Sequence, residues 1–197
     1  MTPEEVLELC RQNGAYLEGH FLLSSGLHSQ KYLQCALVLA HPAIAERMGR
    51  ALAERCPGRP LDFVTAPAMG GLIIGHEVAR AFGCPFLFTE RDASSGRMAL
   101  RRGFTLAPGA RGIVVEDVIT TGGSTRETIA AIATAGGTIV GAGSIIDRSG
   151  GSVDLGLPRV ALATLTVETW PAEACPLCAA GHPLVKPGSR KSGASQS

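Results

Sequence analysis

The residues best suited to chemistry lie in one short stretch, Gly112-Ile-Val-Val-Glu-Asp-Val-Ile-Thr-Thr-Gly-Gly-Ser-Thr125. A short, fully apolar strand over residues 113–115 ends in two adjacent carboxylates, Glu116 and Asp117. In an open α/β sheet, ligands bind at that carboxyl edge. The next residues, Thr120-Thr121-Gly122-Gly123-Ser124-Thr125, lead into a helix. Glycines let backbone N–H groups approach a ligand closely, and the helix N-terminus adds partial positive charge. Threonine and serine hydroxyls supply further donors. Such a loop suits a phosphate, and the carboxylates before it suit hydroxyl groups. A sugar phosphate meets both demands at once. A plain strand-to-helix turn would explain the glycines and serine as caps, but adjacent acids at a buried strand end are hard to explain by folding alone. A P-loop is excluded because Gly-x4-Gly-Lys-[Ser/Thr] is absent, and no Gly-x-Gly-x-x-Gly dinucleotide fingerprint follows a strand.

A second cluster is electrostatic. Residues 89–111 hold Arg91, Arg97, Arg101, Arg102 and Arg111 against Glu90 and Asp92, a local +3, together with Ser94-Ser95-Gly96. The segment fits neither the helical nor the strand period and reads as a long, exposed loop or hairpin. A mobile basic flap of this kind could close over a leaving anion and exclude water. The bland alternative is a solvated charged hairpin. Near the C-terminus, Cys175-Pro-Leu-Cys178 followed by His182 has ligand-like spacing. One Cys-x2-Cys is only half a zinc site, so two reduced, partly buried thiols in a loop are the simpler reading. His28 reads as a phosphate contact or a surface histidine. His20, His41 and His76 show no partner signal, and Trp170 reads as a packing anchor.

The elements that must position these groups follow from periodicity and punctuation. Thr2 caps a helix with Pro3 at its first position and Glu5 closing a capping box. Val6, Leu7, Leu9 and Cys10 form its apolar face and Gly14 ends it. Residues 21–39 predict short strands around Ser24-Ser25-Gly26. A helix runs from near Pro42 to about Cys56, stopped by Pro57-Gly58. The rhythm then becomes strand (61–66), Gly loop (67–71), helix (72–82) and strand (84–88). After the basic segment come the strand at 113, a helix over 124–135, and a strand over 138–146 ending in Asp147-Arg148. Strands buried on both faces and alternating with helices mean a mainly parallel sheet in an α/β domain.

Composition bounds the rest. The 197 residues suit one domain, read as residues 1–185 with a polar, frayed tail over 186–197. A hydrophobic fraction of 45% with 18% charged residues describes a globular chain rather than a disordered one. The formal net charge of +1 excludes a global basic field for nucleic acid. Of 18 basic residues only Lys31, Lys186 and Lys191 are lysines. The N-terminus Met1-Thr2-Pro3-Glu4-Glu5 lacks an apolar signal core, and glycines split the uncharged stretch over residues 128–146. A cytoplasmic protein without membrane spans is expected, with six reduced cysteines, four of them in the core.

The stretch Val115-Glu-Asp-Val-Ile-Thr-Thr-Gly-Gly-Ser124 resembles the PRPP-binding motif of the type I phosphoribosyltransferases, and among them that of the orotate-using enzymes. Phe21-Leu-Leu-Ser-Ser-Gly-Leu-His-Ser29 with Tyr32 is similar to their N-terminal hood segment. Pro67-Ala-Met-Gly-Gly71 is similar to their pyrophosphate loop, and Asp147-Arg148 to their Asp-Arg pair. The likeness runs from about residue 14 to residue 170, with the hood at about 14–40 and the core at about 41–170.

The resemblance implies a type I phosphoribosyltransferase fold: a mainly parallel central sheet flanked by helices, with a small hood and a basic flexible loop. It implies transfer of ribose 5-phosphate from PRPP to a base nitrogen, with Mg2+ and release of pyrophosphate. By the same resemblance, Glu116, Asp117, Val118, Ile119, Thr120, Thr121, Gly122, Gly123 and Ser124 bind PRPP, directly or through magnesium-bound water at the two acids. Ala68, Met69, Gly70 and Gly71 form the pyrophosphate loop, while Thr120 and Arg148 contact orotate. A guanidinium suits a carboxylated pyrimidine better than a neutral purine; the alternative for Arg148 is a surface ion pair with Asp147 or Asp154.

Catalytic roles fall to Asp117 and, in the flap, to Arg91, Arg101 and Arg102. The implied assembly is a homodimer whose flap reaches the neighbouring subunit's site. The flap departs from the family's lysine and histidine pattern, since it has neither residue; Arg91 stands where the first lysine falls. Ser24 and Gly70 occupy two further positions where lysine is common. Two rival readings remain: a transferase for a purine or other base, and a PRPP-sensing regulator that binds nucleic acid. The latter would need an added DNA-binding module or a broad basic face.

Overall fold

The computed structural model describes residues 1–23 and 25–187. Ser24, at a hood position where lysine is common in the resembling family, and tail residues 188–197 lie outside the described residues. Helix α1 (Pro3–Gln12) begins as its sequence dictates. Thr2 Oγ1 accepts from the Glu5 N–H at 3.2 Å, and Glu5 Oε2 accepts from the Thr2 N–H at 2.7 Å. Next come β1 (Tyr16–Leu22), β2 (His28–Leu33), α2 (Cys35–Leu39), α3 (Pro42–Arg55), β3 (Phe63–Pro67) and α4 (Gly71–Phe82). The chain continues through β4 (Phe86–Arg91), β5 (Met98–Leu100), β6 (Arg111–Ile119), α5 (Gly123–Thr134), β7 (Thr138–Asp147) and β8 (Arg159–Thr164). It closes with β9 (Thr169–Trp170), a 3-10 turn (Ala172–Ala174) and α6 (Pro176–Ala179).

Six strands form the central sheet in the order β5-β4-β3-β6-β7-β8, parallel except for the antiparallel edge strand β5. From β3 the chain steps outward to β4 and then returns to the other side of β3 as β6. The order therefore reverses between β3 and β6, and the loops after these two strands face one crevice. A second, smaller antiparallel sheet has the order β1-β2-β9. Its third strand comes from residues 169–170, so the N-terminal hairpin is completed by the far end of the chain.

Helices α1 to α4 cover one face of the large sheet. There Met48, Leu52, Ile74 and Val78 pack with Ile113, Val115 and Ile145 from the strands. A fully buried side chain of this size stabilises the fold by roughly 1.5–3 kcal/mol. On the opposite face a smaller cluster joins Phe63, Leu87 and Ala110 to Ile132 of α5.

Two details differ from the sequence expectations, and a third sharpens one. Residues 35–39 form a helix rather than a strand: Cys35, Val38 and Leu39 are the buried positions, the spacing of one helical face. The strand that starts near residue 113 does not stop at Glu116, because pairing with β7 carries it to Ile119 opposite Asp147. Of the two forms expected for the basic segment, loop or hairpin, its start is a hairpin, with β4 running past residue 88 to Arg91 opposite Met98. Of the six cysteines, Cys10, Cys35, Cys56 and Cys175 are buried and Cys178 is exposed.

Candidate active site

Strand β6 outruns its partner β3. Their pairing ends at Thr65 and Val114, so Glu116 and Asp117 sit beyond it, at the switch point. Glu116 is buried and accepts a hydrogen bond from Thr125 Oγ1 at 2.8 Å. Burial pushes its carboxyl up to about 7; the Thr125 bond pulls down and the neighbouring Asp117 charge adds to the rise. Asp117 is also raised, again chiefly by burial, against the hydrogen bond that its Oδ1 accepts from the Val118 N–H. Neither acid has a cationic partner among the described residues. The loop after β3 presses directly on this pair. A Cβ at Gly70 would lie 2.6 Å from Asp117 Oδ1, so any larger residue there would have to displace the carboxylate. In the same loop Met69 is 80% exposed, the Ala68–Met69 peptide is cis, and Gly71 is buried.

Residues 120–124 turn from β6 into α5. Gly122 has φ +74, and a Cβ there would meet Leu155 at 2.8 Å and Val153 at 2.9 Å, so this turn requires glycine on two counts. Arg126 braces it by donating to the Thr121 carbonyl at 2.7 Å and the Asp154 carbonyl at 2.6 Å. Glu116, Val118, Ile119 and residues 120–125 enclose a cavity of about 90 Å3 at the N-terminus of α5. Backbone N–H groups and hydroxyls on a helix N-terminus make that space an anion cradle.

A second cavity, about 490 Å3, opens between this turn and the small sheet. Thr120, Thr121 and Arg148 line one side; Leu22, Leu27 and Tyr32 of the β1-β2 region line the other, with Thr169 and Lys186. Asp147 and Arg148 part company at the end of β7: Asp147 is the strand's last residue and Arg148 opens the turn that follows. Asp147 is buried and holds Arg159 at 2.6 Å and the Ser149 hydroxyl at 2.6 Å. Burial opposes its charge, but these bonds prevail and keep its carboxyl below the usual range. Asp147 is therefore paired to Arg159, and the expected alternative of an Arg148 ion pair with Asp147 or Asp154 does not form. Arg148 is half-buried and has no side-chain partner among the described residues, and burial lowers its affinity for a proton.

The arginines of the basic segment are in a different state. Arg91 donates to Glu127 at 2.8 Å, Arg102 forks onto Glu90 Oε2 at 3.1 and 3.0 Å, and Arg101 lies 3.4 Å from Asp92 Oδ2. Asp92 also receives the backbone N–H groups of Ser94 and Ser95, tying the hairpin tip to its own stem.

Sequence reasoning missed Lys186, Leu22, Leu27 and Thr169 as cavity residues. Only the scarcity of lysine in an Arg-rich chain could have singled out Lys186. It also misjudged His20 and His28, which are buried beside Cys175 and Cys178. His182 lends that cluster its backbone carbonyl, 2.9 Å from His20 Nδ1.

Residues 36–155 match the phosphoribosyl transferase domain family. The chain is 53% identical to an orotate phosphoribosyltransferase of Pelotomaculum thermopropionicum, over 97% of this chain and 100% of the relative. It is 54% identical to the enzyme of that name from Acidithiobacillus ferrooxidans, over 96% and 98%. Among solved structures, the orotate phosphoribosyltransferase of Aeropyrum pernix superposes with a TM-score of 0.68 at 26% identity, covering 81% of this chain and 93% of that one. An adenine phosphoribosyltransferase from Thermoanaerobacter pseudethanolicus shares the fold alone, with a TM-score of 0.58 at 18% identity. A reversed strand order, two acids at its switch point and an anion cradle beside them thus coincide with near full-length likeness: the chain belongs to the phosphoribosyl transferase family, in its orotate phosphoribosyltransferase branch.

Proposed function

We propose that the protein transfers ribose 5-phosphate from PRPP to a ring nitrogen of orotate, giving orotidine 5'-monophosphate and pyrophosphate in UMP synthesis. The bond from the anomeric carbon to the pyrophosphate oxygen breaks and pyrophosphate leaves with the electron pair; the bond to nitrogen forms, and the proton of that ring N–H is released to the leaving pyrophosphate or to water. The observation that carries this reading is Arg148. A half-buried guanidinium without an acid faces a cavity of about 490 Å3, whose wall it shares with Thr120. A cation desolvated in this way is stabilised by an incoming carboxylate, which orotate has and the purine bases lack.

The other roles follow from position. Residues 120–124 receive the 5-phosphate at the head of α5. Glu116 and Asp117 hold the ribose hydroxyls, which donate to carboxylate oxygens. Charge developing at the ribose in the transition state meets Asp117 in a site of low dielectric. The backbone of residues 68–71 approaches the pyrophosphate, with Arg91, Arg101 and Arg102 of the flap closing over it.

Two adjacent carboxylates without a cationic partner fit magnesium held through water by Glu116 and Asp117. When bound, that ion neutralises charge on the leaving diphosphate. We further read the protein as a cytoplasmic homodimer whose flap serves the neighbouring site. No helix among the described residues is long and apolar enough to cross a membrane.

The test is a PRPP-dependent assay across orotate, uracil, adenine, hypoxanthine and xanthine, with sizing of the purified protein. Orotate is expected to be the best substrate by a wide margin. A preferred purine would sink the base assignment, and a monomer with full activity would sink the shared flap.

A further inference from the structure

Two distant parts of the chain meet where the proposed reaction needs nothing. His20 on β1, His28 at the start of β2, and Cys175 and Cys178 at α6 each offer one ligand atom, all within 4.8 Å of one another. His20 Nε2 lies 2.9 Å from His28 Nδ1, 3.5 Å from Cys175 Sγ and 3.7 Å from Cys178 Sγ. Cys178 Sγ lies 3.2 Å from His28 Nδ1. Around a tetrahedral zinc, bonds of about 2.3 Å to sulfur and about 2.0–2.1 Å to nitrogen set ligand atoms roughly 3.3–3.8 Å apart. The observed separations run close to that range. Hydrogen bonding explains the cluster less well. His20 Nδ1 faces the His182 carbonyl at 2.9 Å and donates to it, leaving a bare lone pair on Nε2 that confronts three atoms at once. Metal-bound histidines characteristically donate their other N–H to such a carbonyl, which fixes both tautomer and ring direction.

We infer that His20, His28, Cys175 and Cys178 form a structural zinc site. Zn2+ enters as both thiols lose their protons, two protons are released, and the filled site is neutral. Four protein ligands close a tetrahedral sphere, leaving no position for a reactive water. The ligand set differs from the Cys175, Cys178 and His182 pattern suggested by spacing, because His182 supports His20 through its backbone. The metal would rivet the N-terminal hairpin to the C-terminal segment. Those parts are also joined by β9 on β2, by Ser29 Oγ donating to the Glu168 carbonyl, by the His20–His182 contact, and by Val185, which exchanges backbone hydrogen bonds of 2.8 Å with His20 and Leu22. The inference is independent of the proposed reaction.

Protein purified without chelator should carry about one zinc per chain by elemental analysis. Metal-free protein titrated with Co2+ should develop the intense visible bands of tetrahedral thiolate-bound cobalt, and excess Zn2+ should erase them. Cys178→Ser and His20→Ala should each cut bound zinc to less than about a tenth of an equivalent, whereas His182→Ala should keep it. Wild-type protein that retains no zinc after being offered the ion and desalted, and gives no thiolate–cobalt bands, overturns the site. Loss of metal in His182→Ala as complete as in Cys178→Ser overturns this ligand set. Should either ligand variant fail to fold, the cobalt titration of the wild-type protein decides alone.

Discussion

The turn after β6 and the basic hairpin of β4 and β5 carry the charge of this protein in opposite ways. At the turn, Glu116 and Asp117 are desolvated, lack cationic partners, and have their carboxyls pushed up by burial. In the hairpin, Arg91, Arg101 and Arg102 are exposed and already matched to Glu127, Asp92 and Glu90. The first region stores unfavourable electrostatics in a fixed frame, so a ligand relieves it without rearrangement. The second is already paired, within the hairpin and to Glu127 of α5, and would have to exchange partners to meet an anion. Exposed pairs of this kind hold by only about 0.2–1 kcal/mol, so the exchange costs little. A preorganised acid pair and an internally paired basic hairpin are thus two states of one kind of interaction, separated by burial.

The sharpest way to break that comparison is at the buried end. Asp117→Asn keeps the shape but removes the charge, and turnover should fall by about 10²–10³-fold with the far-ultraviolet spectrum unchanged. Near wild-type turnover would mean that the switch-point acids are bystanders. Arg148→Ala should follow in size. Losing a charged contact worth about 1.5–3 kcal/mol raises the orotate KM by roughly 10–150-fold, with a smaller effect on the KM of PRPP. An equal rise for both substrates would place Arg148 outside the base pocket.

Glu116 tests whether the fixed frame is held against its own stability. From its ordinary 4.5 to about 7, the folded carboxyl keeps a proton that the unfolded chain has released. Folding stability should therefore fall as pH rises through that window. Glu116→Gln should flatten the slope and stabilise the protein at pH 8 by about 1–3 kcal/mol, at some cost in activity. Urea denaturation at pH 5 and pH 8 measures this; identical slopes for both proteins would remove the argument.

The smallest effect on folding belongs to the hairpin. Replacing Arg101 and Arg102 together by Ala should change stability by less than about 1 kcal/mol, as befits exposed pairs. It should still lower kcat more than it alters orotate binding. A loss of stability without loss of turnover would make the hairpin a structural element rather than a flap.

Much of the site was legible in the chain because its signals are local. Glu116, Asp117, Gly122 and Ser124 sit within nine residues, and strand, acid pair, glycine turn and helix start are each written in residue types. Residues 35–39 were misread because a short apolar run has no period long enough to separate strand from helix. The larger cavity was only half visible. Thr120 and Arg148 belong to recognisable strand ends, but Lys186 reaches it through Val185 pairing beside β1, a contact that no spacing rule encodes.

The amino-acid sequence by itself determined the alternation of strands and helices, the anion cradle and the acids before it, since each depends on interactions within a few residues. Tertiary structure alone decided which charges stay unpaired. Asp147, the last residue of β7, turns inward to Arg159, and Arg148, in the turn that follows, is left to the cavity, an outcome set by a contact with β8 and not by adjacency. It also decided that His20 and His28 meet Cys175 and Cys178 across more than 140 residues of chain, with sequence separations of 150 to 158 for the contacts across the cluster. Burial and long-range pairing are properties of the whole packed chain, and so the partners they choose appear only when it folds.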